Sequence, residues 1–171
     1  RFTVVLVLLA AVTLSAGSHL SAADTSSPTD SHPLRFISNA FENASPLWWE
    51  VEESGEVSVH LVYDHERSST NRANGHWLFR VEAEPNSDIT LVLGPFANVW
   101  NRRPPKTIPE AKIAYVSEDG ETWRVIKTEP VEPYRLKLQL HMNGSSLYVA
   151  RLEPYRISDV VSLKRDITDH P

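Results

Sequence analysis

The stretch 135-RLKLQLHMNGSSLYVARL-152 decides the fold class of this chain. Its first half alternates apolar with polar or charged residues, which is the period of a half-buried β-strand. The apolar residues that share one face of this run are Leu136, Leu138, Leu140 and Met142. Turn-forming residues at 143–145 separate it from a second alternating run, with Leu147 and Val149 on one face and Tyr148 and Ala150 on the other. The stretch therefore predicts two successive strands and no helix.

The same alternation recurs towards the N-terminus. The further runs are 56-EVSVHLVY-63, 76-HWLFRVE-82, 88-DITLVL-93, 111-AKIAYVS-117 and 122-TWRVIK-127. Turn sequences separate them, and 117-SEDGETW-123 places Asp119-Gly120 between two runs, which is a strong hairpin signal. Seven or eight short strands joined by tight turns are typical of an antiparallel β-sandwich or jelly roll. We expect this all-β domain to span residues 34–157.

The N-terminal region reads as a targeting segment. Arg1 is followed by the apolar run FTVVLVLLAAVTL and then by small residues at Ser21 and Ala23. This order predicts a secretory signal peptide over 1–23, cleaved after Ala22 or Ala23, because the run is too short to span a bilayer comfortably. The polar, proline-containing residues 24–33 predict a flexible linker. We therefore expect a secreted or periplasmic protein, with no stable membrane insertion after cleavage.

Composition narrows the classes of partner. The formal charge is −5, and the chain contains no cysteine. A thiolate zinc site, a disulfide framework and a cysteine nucleophile are thereby excluded. The acidic balance argues against nucleic acid as a partner. The one local basic run, Arg102, Arg103 and Lys106, is interrupted by prolines and indicates a solvated loop.

The C-terminal residues have a different period. The run 158-SDVVSLKRDITDHP-171 offers Ser158 as N-cap and Asp159 in the first turn, and Pro171 would end the helix. Val160, Leu163 and Ile167 then fall near one face. We expect a linker helix over 158–171 that leads to a further domain, with these apolar residues docking on that domain. Tyr155 and Arg156, just ahead of the helix, are the other candidate docking residues.

One loop raises the question of catalysis. The stretch 65-HERSSTNRANGHW-77 gathers His65, Glu66 and His76, but a metalloprotease His-Glu-x-x-His motif would need histidine where Ser69 stands. A site of two histidines and one carboxylate, built with Asp64, stays open as an alternative. A polar loop between two strands explains the same residues. We therefore predict no catalytic residue and no metal ligand in this chain.

Five tryptophans offer candidates for an aromatic binding surface. Trp77 and Trp123 lie within strand patterns, which favours core packing. Trp100 follows a strand and is the best candidate for exposure. With Arg67 and His76, it forms the set of possible surface-binding residues.

Several motifs together resemble a known family. They are FENASPLWWEVEESGEVSVHLVYDHERSSTNRANGHWLFRVE from residue 41, DITLVLGPFANVWN from 88, AYVSEDGETWRVI from 114 and SLYVARLEPYRISD from 146. In order and spacing they are similar to the N-terminal domain of bacterial zinc carboxypeptidases related to the cytosolic carboxypeptidases. The resemblance covers roughly residues 41–171.

The resemblance implies an antiparallel β-sandwich that precedes a catalytic domain. In such enzymes that domain holds one zinc ion through two histidines and one glutamate, uses a second glutamate as general base, and removes C-terminal residues from peptides. None of those residues has a counterpart in this sequence. The resemblance thus implies a non-catalytic accessory domain, whose partner is its own catalytic domain and whose parent enzyme acts on a peptide or protein.

A second hypothesis stays open from the residues alone. The chain could be a freestanding secreted β-sandwich that binds carbohydrate or a protein surface.

Overall fold

The computed structural model describes residues 32–62, 70–71, 75–96, 98–99, 101–103, 112–131 and 133–170, which lie in one compact unit, His32–Pro171. These ranges contain nine β-strands and one α-helix. The strands are β1 Leu34–Ser38, β2 Leu47–Val51, β3 Val57–Leu61, β4 Leu78–Ala83, β5 Ser87–Gly94, β6 Ile113–Ser117, β7 Arg124–Val131, β8 Arg135–Met142 and β9 Ser146–Ala150. The helix is α1, Ile157–Asp169. The predicted signal peptide and residues 24–31 of the predicted linker lie outside the described ranges.

The last two residues of that predicted linker are hydrogen-bonded to the β-domain. His32 Nε2 lies 2.9 Å from the carbonyl oxygen of Gly55, and its Nδ1 accepts the Leu34 N–H at 3.0 Å. The carbonyl of Pro33 accepts the Glu84 N–H at 2.9 Å. No helix in the described part of the chain is long and apolar enough to cross a membrane.

The strands are hydrogen-bonded to their neighbours in one sheet, in the order β1-β4-β9-β6-β7-β8-β5-β3-β2. The two end strands approach each other, because the ring of Phe36 in β1 meets the ring of Trp49 in β2 edge-on, with centroids 6.1 Å apart. The sheet is therefore nearly closed. The antiparallel sandwich and the jelly-roll arrangement stay predictions.

Strand β7 joins the two halves of the sheet. Its first residues, Arg124 to Lys127, pair with β6, and its last, Thr128 to Val131, pair with β8. A strand that changes partner along its length turns a corner between two packed layers. The core between the halves is continuous for this reason.

One pairing departs from the predicted antiparallel arrangement. Strand β3 pairs in parallel with β5, with Val57 opposite Leu91 and Val59 opposite Leu93. The other described strand pairs are antiparallel. Parallel neighbours need a crossover connection. Here the chain supplies it by leaving β3, forming β4 in the other half of the sheet, and returning as β5.

The predicted apolar faces are the core. In the runs that form β3, β4, β5, β8 and β9, the described apolar residues that alternate onto one face are buried, and Trp77, Phe79 and Val81 are completely inaccessible. The buried residues form one cluster that includes Ile89, Leu91, Leu93, Leu136, Leu138, Leu140, Met142, Leu147 and Val149. Tyr63, which alternates onto the same face as Val57 in the run 56–63, lies outside the described residues. Both halves of the sheet share this one core.

Two strands were not predicted. Strand β1 reads LRFIS and β2 reads LWWEV, and neither alternates cleanly. Both are end strands, where exposed apolar residues such as Phe36 and Trp48 interrupt the period. The described chain consequently has nine strands where seven or eight were expected.

Candidate functional site

The candidate site surrounds the neck, which we define as residues 151–156 between β9 and α1. The neck leaves the sheet with its first N–H, that of Arg151, donated to the Trp77 carbonyl at 2.9 Å. Tyr155 is 63% exposed, so most of the residue is accessible to solvent. The side chain of Arg156, by contrast, is only 24% exposed.

Arg156 ties the neck to the hairpin between β6 and β7. Its Nη2 donates to Glu121 Oε1 at 2.8 Å, and its Nε lies 3.4 Å from Asp159 Oδ2 in the first turn of the helix. The hydrogen bonds with Glu121 and then with Asp159 raise the pKa of the guanidinium. The guanidinium thus links a β-hairpin to a helix within this chain.

The start of α1 differs from the predicted one. The helix begins at Ile157 with Arg156 at the N-cap position, not with Ser158. Asp159 provides the cap instead: its Oδ2 accepts the Arg156 backbone N–H at 2.7 Å. That bond, with the guanidinium, lowers the pKa of Asp159. A carboxylate one turn into a helix is well placed for this, because it also faces the positive end of the helix dipole.

Ser158 has a different partner. Its N–H and its hydroxyl donate to the two carboxylate oxygens of Glu42, at 3.2 and 3.1 Å. Glu42 comes from the loop between β1 and β2, more than a hundred residues earlier. Helix α1 is therefore attached to the β-domain through polar contacts at its first turn.

The apolar face of α1 is not covered. The helix buries none of its residues. Its exposed apolar residues, given with their accessible fractions, are Ile157 75%, Val160 49%, Val161 55%, Leu163 49% and Ile167 66%. An amphipathic helix of this length is marginal without a packing partner. The predicted docking residues Val160, Leu163 and Ile167 thus lie on one exposed stripe.

Beside the neck lies a cavity of about 150 Å³, which we call the neck pocket. Its lining consists of Phe41, Glu42, Leu78, Gly120, Trp123, Tyr148, Pro154 and Arg156. Three separate segments supply these residues, the β1–β2 loop, the β6–β7 hairpin and the neck, above a floor formed by the sheet. The ring of Tyr148 meets Phe41 edge-on at 5.4 Å and Trp123 at 6.5 Å between centroids.

Trp123 was expected in the core and is not there. It precedes β7, which begins at Arg124, and its side chain is half-buried in the wall of the neck pocket. Trp77, its companion in that prediction, is fully buried. The difference arises because the hairpin turns Trp123 onto the outer face of the sheet, against Tyr148.

The hairpin next to the pocket is held by Asp119. Its Oδ1 accepts the N–H groups of Glu121 at 2.8 Å and Thr122 at 2.7 Å, and the Ser117 hydroxyl at 2.8 Å. These hydrogen bonds hold the pKa of Asp119 well below its ordinary value, and the bond from Thr122 has the largest effect. Gly120, at φ +78°, lets the turn close against the Tyr148 ring. The predicted Asp-Gly hairpin is confirmed.

Of the polar loop 65–77, the structure describes residues 70–71 and 75–77. His76 is exposed, whereas Asp64, His65, Glu66, Arg67 and Trp100 lie outside the described residues. Within the ranges that are described, no three histidine or acidic side chains come together as a metal site would need. The site at the neck instead includes Phe41, Glu42, Glu121 and Trp123, which periodicity did not single out as site residues. The loop pair and the hairpin pair are far apart in the sequence, so nothing in the sequence indicated that they lie close together.

No family model matches the sequence, and no curated protein matches it. Solved structures share the fold. A protein provisionally named carboxypeptidase A from Shewanella denitrificans superposes with a TM-score of 0.64 at 18% identity, covering 80% of this chain and 34% of its own.

Two further solved structures share the fold. A metallo-carboxypeptidase from Burkholderia cenocepacia gives a TM-score of 0.60 at 14% identity, covering 80% of this chain and 33% of its own. A metallo-carboxypeptidase from Pseudomonas aeruginosa, solved with (2-guanidinoethylmercapto)succinic acid, gives 0.58 at 18%, covering 77% and 33%. This chain spans about a third of these proteins and has the fold of that third.

Proposed function

We propose that this chain is the N-terminal accessory β-domain of a secreted zinc metallocarboxypeptidase, and that α1 docks on the catalytic domain. The domain performs no chemistry in this proposal. It carries the first helix of the catalytic unit at a fixed place, so that the parent enzyme can remove C-terminal residues from a peptide or protein. The solved structures that share the fold bear the name carboxypeptidase, which supports this choice of parent.

The state of α1 is the observation that carries the proposal. Its first turn is held by Glu42, Glu121 and Asp159, while its whole apolar stripe is exposed. The helix is hydrogen-bonded to the β-domain at one end, and its apolar side chains are exposed. That exposed face can therefore pack against a second domain. Interdomain contacts of this kind typically bury about 600–1,500 Å².

Zinc enters the proposal through the catalytic domain. The described part of this chain brings no three histidine or carboxylate side chains together, so it does not fit a zinc site. Two histidines and a glutamate elsewhere in the parent enzyme would hold the ion and supply its Lewis acidity. We derive no step for this chain through that metal.

Amide hydrogen exchange tests the docking. We expect the amides of residues 158–170 to exchange fast in this chain and to be protected in a chain that continues through a catalytic domain. The amides of β8 serve as the internal control, since they should exchange equally slowly in both. Strong protection of α1 in both chains would refute docking, because the helix would then pack on the β-domain. Fast exchange in both would refute it as well.

A matched pair of substitutions sharpens the test. In the longer chain, Val160→Asp should weaken docking, because it places a charge in the apolar stripe and removes a contact with a value of about 1–3 kcal/mol. Ser162→Asp introduces the same residue and the same change in charge on the opposite side of the helix, and it should leave protection unchanged. Equal effects from both variants would contradict the proposed orientation of the helix.

A further inference from the structure

The neck pocket has the composition of a receptor for a positively charged side chain. Its lining includes the rings of Phe41, Trp123 and Tyr148 and the side chain of Glu42, whose carboxylate also accepts the N–H and the hydroxyl of Ser158. Aromatic rings attract cations through their negative faces, and several rings around one space form the cage that selects ammonium groups. We propose that this pocket binds one lysine or arginine side chain of a peptide.

The charges around the mouth favour a cation. Arg156 is the one positive group in the lining, and its guanidinium is turned to Glu121 and Asp159. Together with Glu42, these residues place three carboxylates around the one positive charge of Arg156. Glu118 and Asp119, on the same hairpin as Gly120, add to the negative potential. An anionic or strongly electron-rich guest is disfavoured by the same groups.

The size of the pocket limits the guest to one side chain. A cavity of about 150 Å³ is comparable to engineered cavities that hold a benzene molecule. The aliphatic stem of a lysine or arginine would lie against Leu78 and Pro154, and its charged end would reach Glu42 at the rim. Long cationic side chains commonly divide their contacts in this way.

Tyr148 already shows this type of recognition. The guanidinium carbon of Arg80 lies 5.7 Å from the centre of the Tyr148 ring. The charge of Arg80 is in turn paired with Glu82 at 2.7 Å, which limits its repulsion of a second cation. Arg80 is not among the residues that line the neck pocket.

The binding test needs only this chain and is independent of the proposed parent enzyme. N-acetyl-lysine methylamide, its arginine counterpart and the neutral isostere N-acetyl-norleucine methylamide are titrated while the indole NH resonance of Trp123 is followed by NMR. We expect the two cations to bind at least about fivefold more tightly than norleucine, a factor that corresponds to ~1 kcal/mol. Added salt should reduce this preference.

Three variants identify the site. Glu42→Gln should weaken the two cations far more than norleucine, and Trp123→Leu should weaken all three. Trp48→Leu is the matched control, because Trp48 is 52% exposed and stacks on His60 rather than lining the pocket. Circular dichroism confirms that each variant folds, and Glu42→Gln alone decides if Trp123→Leu does not. Equal binding of lysine and norleucine, no binding of either, or cation binding unchanged in Glu42→Gln would overturn the proposal.

Discussion

Two residues fix the local backbone of this domain for different physical reasons. Gly94, the last residue of β5, has φ +135°, a conformation that side chains with a Cβ rarely adopt. A Cβ there would also lie 3.0 Å from the Tyr134 carbonyl oxygen and 3.2 Å from the Phe96 nitrogen. Asp119 fixes its hairpin by accepting hydrogen bonds instead. The first residue is required by geometry and the second by charge.

Replacing Gly94 should therefore be costly. We expect Gly94→Ala to destabilise the domain by about 1–3 kcal/mol, because both the dihedral angle and the nearby backbone oppose a Cβ. Gly144→Ala is the matched control, since a Cβ at that position meets no atom within 4 Å. That variant should change stability by no more than about 0.5 kcal/mol. Urea denaturation of both variants measures the difference, and equal midpoints would show that Gly94 is not constrained.

The hairpin should respond to acid. The pKa of Asp119 is lowered in the folded state, so its contribution to stability is complete above the ordinary carboxyl pKa and is lost as pH falls below it. We expect Asp119→Asn to lower the melting temperature at pH 7. Near pH 3, the melting temperatures of the variant and the parent chain should differ by less. Thermal melts followed by circular dichroism give both values. A difference that stays constant with pH would contradict this account of the charge.

At the scale of elements, helix α1 and the strands have opposite relations to the core. Each strand from β3 to β9 except β7 presents at least two buried apolar residues to the central cluster, whereas α1 presents none. Exposed positions away from special features tolerate substitution. The helix therefore adds little to the stability of the β-domain, even though it is the element on which the proposed function depends.

This contrast gives a direct prediction for the chain as it stands. Val160→Asp should change its unfolding free energy by less than about 0.5 kcal/mol, because the residue is 49% exposed and does not belong to the core cluster. Leu147→Ala, in β9, should cost about 2–5 kcal/mol, because it leaves a cavity in the cluster. Chemical denaturation of the two variants makes the comparison. A large loss in Val160→Asp would show that α1 stabilises the β-domain.

At the scale of the whole molecule, the two halves of the sheet should unfold together. They share strand β7 and one continuous core, so neither half has an apolar interior of its own. We expect Leu138→Ala, in β8, to reduce stability by about 2–5 kcal/mol. Because small single domains unfold cooperatively, amides in β4 and β9, in the other half, should lose protection to the same extent. Loss of protection confined to β5, β7 and β8 would indicate two independent units.

The sequence by itself determined the β class and the inward faces. Alternation in 135-RLKLQLHMNGSSLYVARL-152 and its companions predicted which side chains are buried, because a period of two holds for a strand whatever its neighbour is. The Asp119-Gly120 hairpin and the C-terminal helix were equally readable from local chemistry. The exact helix cap was not, because Ser158 is a good N-cap by type but is bonded instead to Glu42, a residue distant in sequence.

Only the tertiary structure decided which strands are neighbours and where the site lies. Strands β8 and β9 follow each other across a tight turn, yet β8 pairs with β5 and β7 while β9 pairs with β4 and β6. The choice of partner depends on packing summed over the whole core, and no local period encodes it. The neck pocket has the same origin. Phe41, Trp123 and Tyr148 carry no mutual signal in the sequence, and they meet because the closing sheet brings their three segments to one place.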